Sequence, residues 1–180
     1  MSEPRAVVVL IGAPGAGKTR TGKRLARLLG HPLIDTDKRI VAAHGPIAAI
    51  FAEHGEPHFR ALEREAVAAA LREPAIVTLG GGAVLDERTQ ADLAGLRVVQ
   101  LTVSPDAVEE RIAGGKRPLV ADGIAAWSAL VSARQPIYDR LADLTLDTSS
   151  RPLDQIAAEI ADWLGTEARS TEASSTEETP

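Results

Sequence analysis

Residues 12–19 read GAPGAGKT, a fit to the pattern G-x-x-x-x-G-K-[ST]. The chemistry of that pattern is phosphate binding. Gly12, Gly15 and Gly17 let the backbone curl around Ala13, Pro14 and Ala16, so that its N–H groups converge on an anion. A helix opening directly behind the loop adds partial positive charge. Lys18 then reaches the β- and γ-phosphates, and Thr19 offers a hydroxyl to Mg²⁺. A strand before the loop and a helix after it are the context this motif requires. Both are legible here, and they predict a nucleoside triphosphate as ligand.

The phosphoryl acceptor is a separate question. A guanine reader needs an Asn-Lys-x-Asp element, and the chain contains no asparagine. Motor-like ATPases carry an acid at the end of a neighbouring apolar strand. Here the run Ala75–Leu79 ends in Gly80, Gly81 and Gly82. The nearest acids are Asp35 and Asp37, two apart on a segment leaving a short strand. They suit a magnesium-bound phosphate, though Thr36 and Asp37 can equally serve as a turn capping a helix over Lys38–Ala43. A small-metabolite or nucleoside kinase follows. Arg60 has the planar fork that grips a carboxylate, and also a helix-surface partner at Glu63. Arg134 stands two residues before Pro136, where it can be aimed into a cleft or left in solvent. The three glycines either admit a ligand close to backbone amides or only turn the chain. His31, His44, His54 and His58 have no metal-ligand spacing and read as surface residues.

These residues need elements to hold them. Ala6–Ile11 is a continuous apolar run, as a strand buried on both faces requires. Lys18–Leu29 has helical spacing, with Leu25, Leu28 and Leu29 to one side and Gly30 as the stop. Further strands read at Pro32–Ile34, Ala75–Leu79, Arg97–Val103 and Leu144–Asp147. Helices read at Glu56–Arg72, Pro105–Ile112 behind an Ser104 N-cap, Gly123–Leu141 with a bend or break at Pro136, and Leu153–Leu164. Strands alternating with helices imply a parallel sheet covered on both faces, with ligands at the carboxyl ends of its strands.

Composition narrows the class. The 180 residues are 44% hydrophobic and 25% charged, enough for one globular domain. With no cysteine there is no disulfide, iron–sulfur cluster or thiol nucleophile. No unbroken apolar run exceeds six residues, too short to span a membrane, and Glu3 and Pro4 do not open a signal peptide. A cytoplasmic protein is expected. A net charge of −5 and only five aromatic residues argue against nucleic acid as partner. Much of that acidity is terminal: Glu167, Glu172, Glu177 and Glu178 face one Arg169, which leaves −2 for residues 1–165. The composition predicts a domain over 1–165 and a disordered acidic tail over 166–180.

Together these features resemble the shikimate kinase family. The resemblance spans about residues 5–164. It rests on GAPGAGKT (12–19), DTD (35–37), FRALE (59–63), GGG (80–82) and RPLV (117–120) followed by Arg134. It implies a three-layer α/β P-loop kinase fold, with a five-stranded parallel sheet in the order 2-3-1-4-5 and a mobile lid at about 113–123. The implied reaction is ATP- and Mg²⁺-dependent phosphorylation of the 3-hydroxyl of shikimate, on the route to chorismate and the aromatic amino acids, by a monomer. On the matching positions, Asp37 binds the reacting hydroxyl and either takes its proton or only orients it, while Asp35 joins Thr19 at magnesium. Arg60 and Arg134 hold the shikimate carboxylate beside Gly80, Gly81 and Gly82. Arg117 closes over the transferring phosphate, and Arg151 lies at the adenine site. Arg20 stands where the family usually has a second small hydroxyl residue, and so faces the nucleotide phosphates. The lid is a residue or two shorter than usual. Two other readings stay open. One is another small-metabolite kinase, such as a gluconate kinase, whose acceptor also carries a carboxylate. The other is a non-catalytic nucleotide-binding module that docks through its tail.

Overall fold

The computed structural model describes residues 5–113 and 123–176. In chain order the elements are β1 (Val8–Gly12), α1 (Lys18–Leu29), β2 (Leu33–Asp35), α2 (Thr36–His44), α3 (Ile47–Ala70) and β3 (Ile76–Thr78). A 3-10 turn (Ala83–Leu85), α4 (Glu87–Leu93), β4 (Val98–Thr102), α5 (Pro105–Ala113), α6 (Gly123–Leu141), β5 (Leu144–Asp147) and α7 (Leu153–Thr176) complete it. The five strands pair in parallel in the order β2-β3-β1-β4-β5. This is the order the family resemblance implies.

Strand pleating divides the core. Val8 and Leu10 of β1 pack on one face with Leu25, Trp127, Ile156 and Ile160. Val9 and Ile11 pack on the other with Val67, Leu93 and Tyr138. A period of two thus makes one apolar run serve two layers, and each such side chain contributes roughly 1.5–3 kcal/mol when fully buried. Gly12 ends β1 with φ +135°, and a Cβ there would collide with the Leu101 carbonyl of β4. The first residue of the phosphate loop therefore has to be glycine for packing as well as for the turn. A third, smaller apolar cluster (Ile40, Ile50 and Phe59) joins α2 to α3 beyond the sheet edge.

Four elements differ from expectation. α3 starts at Ile47, well before Glu56, and is interrupted at Gly55 (φ 81°, ψ 171°). Pro57 then falls in the first turn after that break, where its missing N–H costs nothing. The segment Ala83–Leu93 holds a 3-10 turn and α4, neither of which was expected; Asp86 caps α4 by accepting the N–H groups of Arg88 and Thr89. α6 runs unbroken through Pro136. Trp127 and Tyr138 lie on either side of that proline and are buried in the two separate cores, and this packing outweighs the lost backbone bond. Finally, α7 passes Leu164 and the boundary at 165 and ends at Thr176.

Candidate active site

The phosphate loop is held open from behind. Lys18 Nζ donates to the carbonyls of Gly12 (2.7 Å) and Ala13 (3.0 Å). The Trp127 indole N–H donates to the Pro14 carbonyl (2.8 Å), Arg111 Nη1 to that of Gly15 (2.7 Å), and the Thr148 hydroxyl to that of Ala16 (2.9 Å). Five consecutive loop carbonyls thus have protein donors, while the N–H groups of such a loop are what an anion takes. Burial lowers the Lys18 pKa to about 8, against the pull of Asp37 and Asp35.

Next to the loop, Thr19 donates its hydroxyl to Asp35 Oδ2 (2.6 Å). The other Asp35 oxygen accepts from Lys38 N–H (3.1 Å) and caps α2. Capping and site geometry are thus two uses of one carboxylate. Thr78 is the register partner of Asp35 on β3 and lines the same cleft, and its hydroxyl is buried without a partner. Hard oxygens from Thr19, Asp35 and Thr78 fit a Mg²⁺ ion that keeps most of its waters, since a metal-bound water would satisfy the orphaned Thr78 hydroxyl. Asp37 opens α2 beside them. Burial, and then the Asp35 charge, raise its pKa above the ordinary value.

Gly80, Gly81 and Gly82 follow β3 with no positive φ. Side-chain ends crowd this run. A Cβ on Gly80 would stand 2.5 Å from Asp37 Oδ1, one on Gly81 3.4 Å from Arg134 Nη1, and one on Gly82 would collide with Arg60. So Asp37, Arg60 and Arg134, far apart in sequence, all pack on one glycine run. Among the described residues, neither the Gly81 nor the Gly82 N–H donates to a protein acceptor. Arg60 is oriented by carboxylates. Its Nη1 donates to Glu63 (2.6 Å), and Nε and Nη2 share Glu56 Oε1 (3.2 and 3.1 Å). Glu63 is only 3% exposed. The helix-surface pair and the ligand-facing arginine are again one arrangement.

One cleft of about 1050 Å³ is lined by Lys18, Thr19, Asp35, Asp37 and Gly81 together with Arg20, Arg111 and Arg151. Burial and the like charge of Arg20 both lower the Arg111 pKa. Two guanidiniums that repel each other in one cleft suit an oligophosphate. Arg151 is ion-paired with Glu159 of α7. Arg117 and residues 114–122 of the lid lie outside the described residues. All four histidines are exposed.

The profile of the family described as shikimate kinase matches residues 14–165. This chain belongs to the shikimate kinase family. A shikimate kinase of Thermobifida fusca is 49% identical over 161 residues, covering 87% of this chain and 94% of that one. The structure of the shikimate kinase from Acinetobacter baumannii in complex with shikimate aligns with a TM-score of 0.82 at 29% identity, over 91% of this chain and 94% of that one. A gluconokinase from Sinorhizobium meliloti reaches a TM-score of 0.64 at 20% identity, over 97% and 99%, which shows the shared fold alone. Sequence reasoning missed the groups that hold the phosphate loop of this shikimate kinase relative. Arg111, Trp127 and Thr148 lie 96, 113 and 132 residues from their acceptors. No spacing rule reaches that far.

Proposed function

We propose that the chain transfers the γ-phosphoryl group of ATP to the 3-hydroxyl of shikimate, giving shikimate 3-phosphate and ADP on the route to chorismate. The observation that carries this reading is the glycine run, with two unpaired amides, two arginines and one acid gathered on it opposite the phosphate loop. Arg60 and Arg134 would take the substrate carboxylate, and Gly80–Gly82 its polar edge. Asp37 orients the 3-hydroxyl. As the hydroxyl oxygen bonds to the γ-phosphorus and the bond to ADP breaks, Asp37 is placed to receive the proton. Lys18 and the loop amides carry charge that develops on the β/γ oxygens, with Arg20, Arg111 and Arg151 along the rest of the nucleotide. Thr19 and Asp35 would hold Mg²⁺, which when bound neutralises phosphate charge. Arg117 is assigned to the closing lid by its motif position.

A cytoplasmic monomer belongs to the same proposal, as does a catalytic domain ending near 165, where the family match also stops. The test offers shikimate, gluconate and a nucleoside monophosphate in parallel with ATP and Mg²⁺. ADP release with shikimate alone supports the proposal. Turnover of gluconate without shikimate removes it.

A further inference from the structure

We propose that Thr36 and Tyr138 are positioning residues, whose two buried hydroxyls clamp the Gly80–Gly82 run so that its free amides meet the acceptor substrate. The inference rests on the reading that this run faces shikimate. A stretch of three glycines has no side chains to pack it, and glycine has the largest backbone freedom to lose. Something else has to fix it, and its polar groups show what does.

Thr36 lies between Asp35 and Asp37 and is fully buried. The β2–β3 ladder ends at the pair Asp35–Thr78. One residue later the Thr36 hydroxyl takes over, donating to the Thr78 carbonyl and accepting from the Gly80 N–H (each 3.3 Å). On the far side, Tyr138 of α6 is 1% exposed, and its hydroxyl donates to the Gly81 carbonyl (2.5 Å). The Arg134 guanidinium, one helical turn earlier, lies beside the same hydroxyl. The Gly80 and Gly82 carbonyls accept from Ala83 and Leu85 N–H (each 3.1 Å). Every polar group of the run is then engaged except the Gly81 and Gly82 N–H groups. A strand-side hydroxyl and a helix-side hydroxyl thus grip opposite ends of the Gly80–Gly81 unit. Arg134 borders both the Tyr138 hydroxyl and Gly81, so the clamp sits between the arginine and the amides.

Each hydroxyl can be removed with little change of shape. Tyr138→Phe and Thr36→Val are expected to raise KM for shikimate about tenfold each, in line with losing a charge-linked or buried hydrogen bond. KM for ATP should stay within about twofold, because the phosphate loop has its own supports. Thr36→Ser keeps the hydroxyl and should restore the wild-type KM. In the substrate-free protein, both hydroxyl-deleting variants should speed amide hydrogen exchange in the peptide covering 79–85. If Thr36→Val fails to fold, Tyr138→Phe decides alone. Arg60→Ala separates the two readings. If it raises KM for shikimate while Tyr138→Phe changes neither that KM nor the exchange, the clamp is wrong and the site stands. If Arg60→Ala leaves KM untouched, the site reading fails and the clamp's role fails with it.

Discussion

The proposed reaction uses Lys18 as a cation, yet it sits where cations are costly. Burial brings its pKa to about 8, so the charged form is complete below that pH and is lost as pH rises through it. The ratio kcat/KM for ATP reports the free enzyme. It should be flat below about pH 8 and fall above it, and an absent alkaline limb would contradict the Lys18 environment. Lys18→Ala should lower kcat about 10²-fold or more, measured at saturating substrates. Asp37 has the opposite sign. Its raised pKa means that the ionised form is lost as pH falls, beginning above the ordinary carboxylate range. The acid limb of kcat should lie there, and Asp37→Asn should abolish it while leaving KM for ATP unchanged. Arg60→Ala removes the partner of a buried Glu63 as well as a ligand fork. It should raise KM for shikimate about 10–100-fold and also lower thermal stability.

At the scale of elements, the strand ends and helix starts carry the site, and their small residues are set by what leans on them. Gly82→Ala presses on Arg60, and Gly80→Ala on Asp37. The first should act mainly on KM for shikimate and the second mainly on kcat. Displacement of a reacting group by about 1 Å is worth about 10² in rate. Steady-state kinetics with each substrate varied in turn would separate them, and equal profiles would refute this division. α4 offers a control outside the site. Its cap Asp86 is bonded to the N–H groups of Arg88 (2.8 Å) and Thr89 (3.3 Å). Asp86→Ala should cost about 1 kcal/mol, a fall in Tm of roughly 2–4 °C for a domain of this size, with both KM values unchanged.

At the scale of the molecule, a chain of net charge −5 presents a basic cleft. Lys18, Arg20, Arg111 and Arg151 attract a polyanionic nucleotide locally while the global charge keeps large polyanions away. Raising ionic strength from low to physiological should therefore raise KM for ATP. Residues 166–180 lie beyond the family match. Deleting them should leave kcat and both KM values within about a factor of two, and a large loss would give that segment a docking role.

The phosphate loop, DTD, FRALE and GGG were legible because each is a local pattern whose chemistry lies in neighbouring residues. The five strands were legible too, since runs such as Val8–Ile11 have to be buried on both faces wherever they sit. α4 and the first half of α3 were not. Asp86 gives a start signal, but in Ala83–Leu93 and Ile47–His54 the helical period is short, and tertiary contact supplies the rest, for Ile50 with Ile40 and Phe59 and for Val84 and Leu93 in the core with Val67. Nor could sequence say whether Arg60 serves Glu63 or a ligand, or whether Asp35 caps a helix or holds a metal. In the folded chain Arg60 pairs with Glu63 while its fork borders Gly82, and Asp35 caps α2 while its other oxygen accepts from Thr19, because one guanidinium and one carboxylate have edges enough for two partners. Sequence by itself determined the phosphate-loop pattern and the alternation of strands and helices, and its likeness to a known family implied the sheet order. Only tertiary structure decided what holds the site still: Arg111, Trp127, Thr148, Thr36 and Tyr138 reach their acceptors through space, over separations at which chain spacing carries no information about contact.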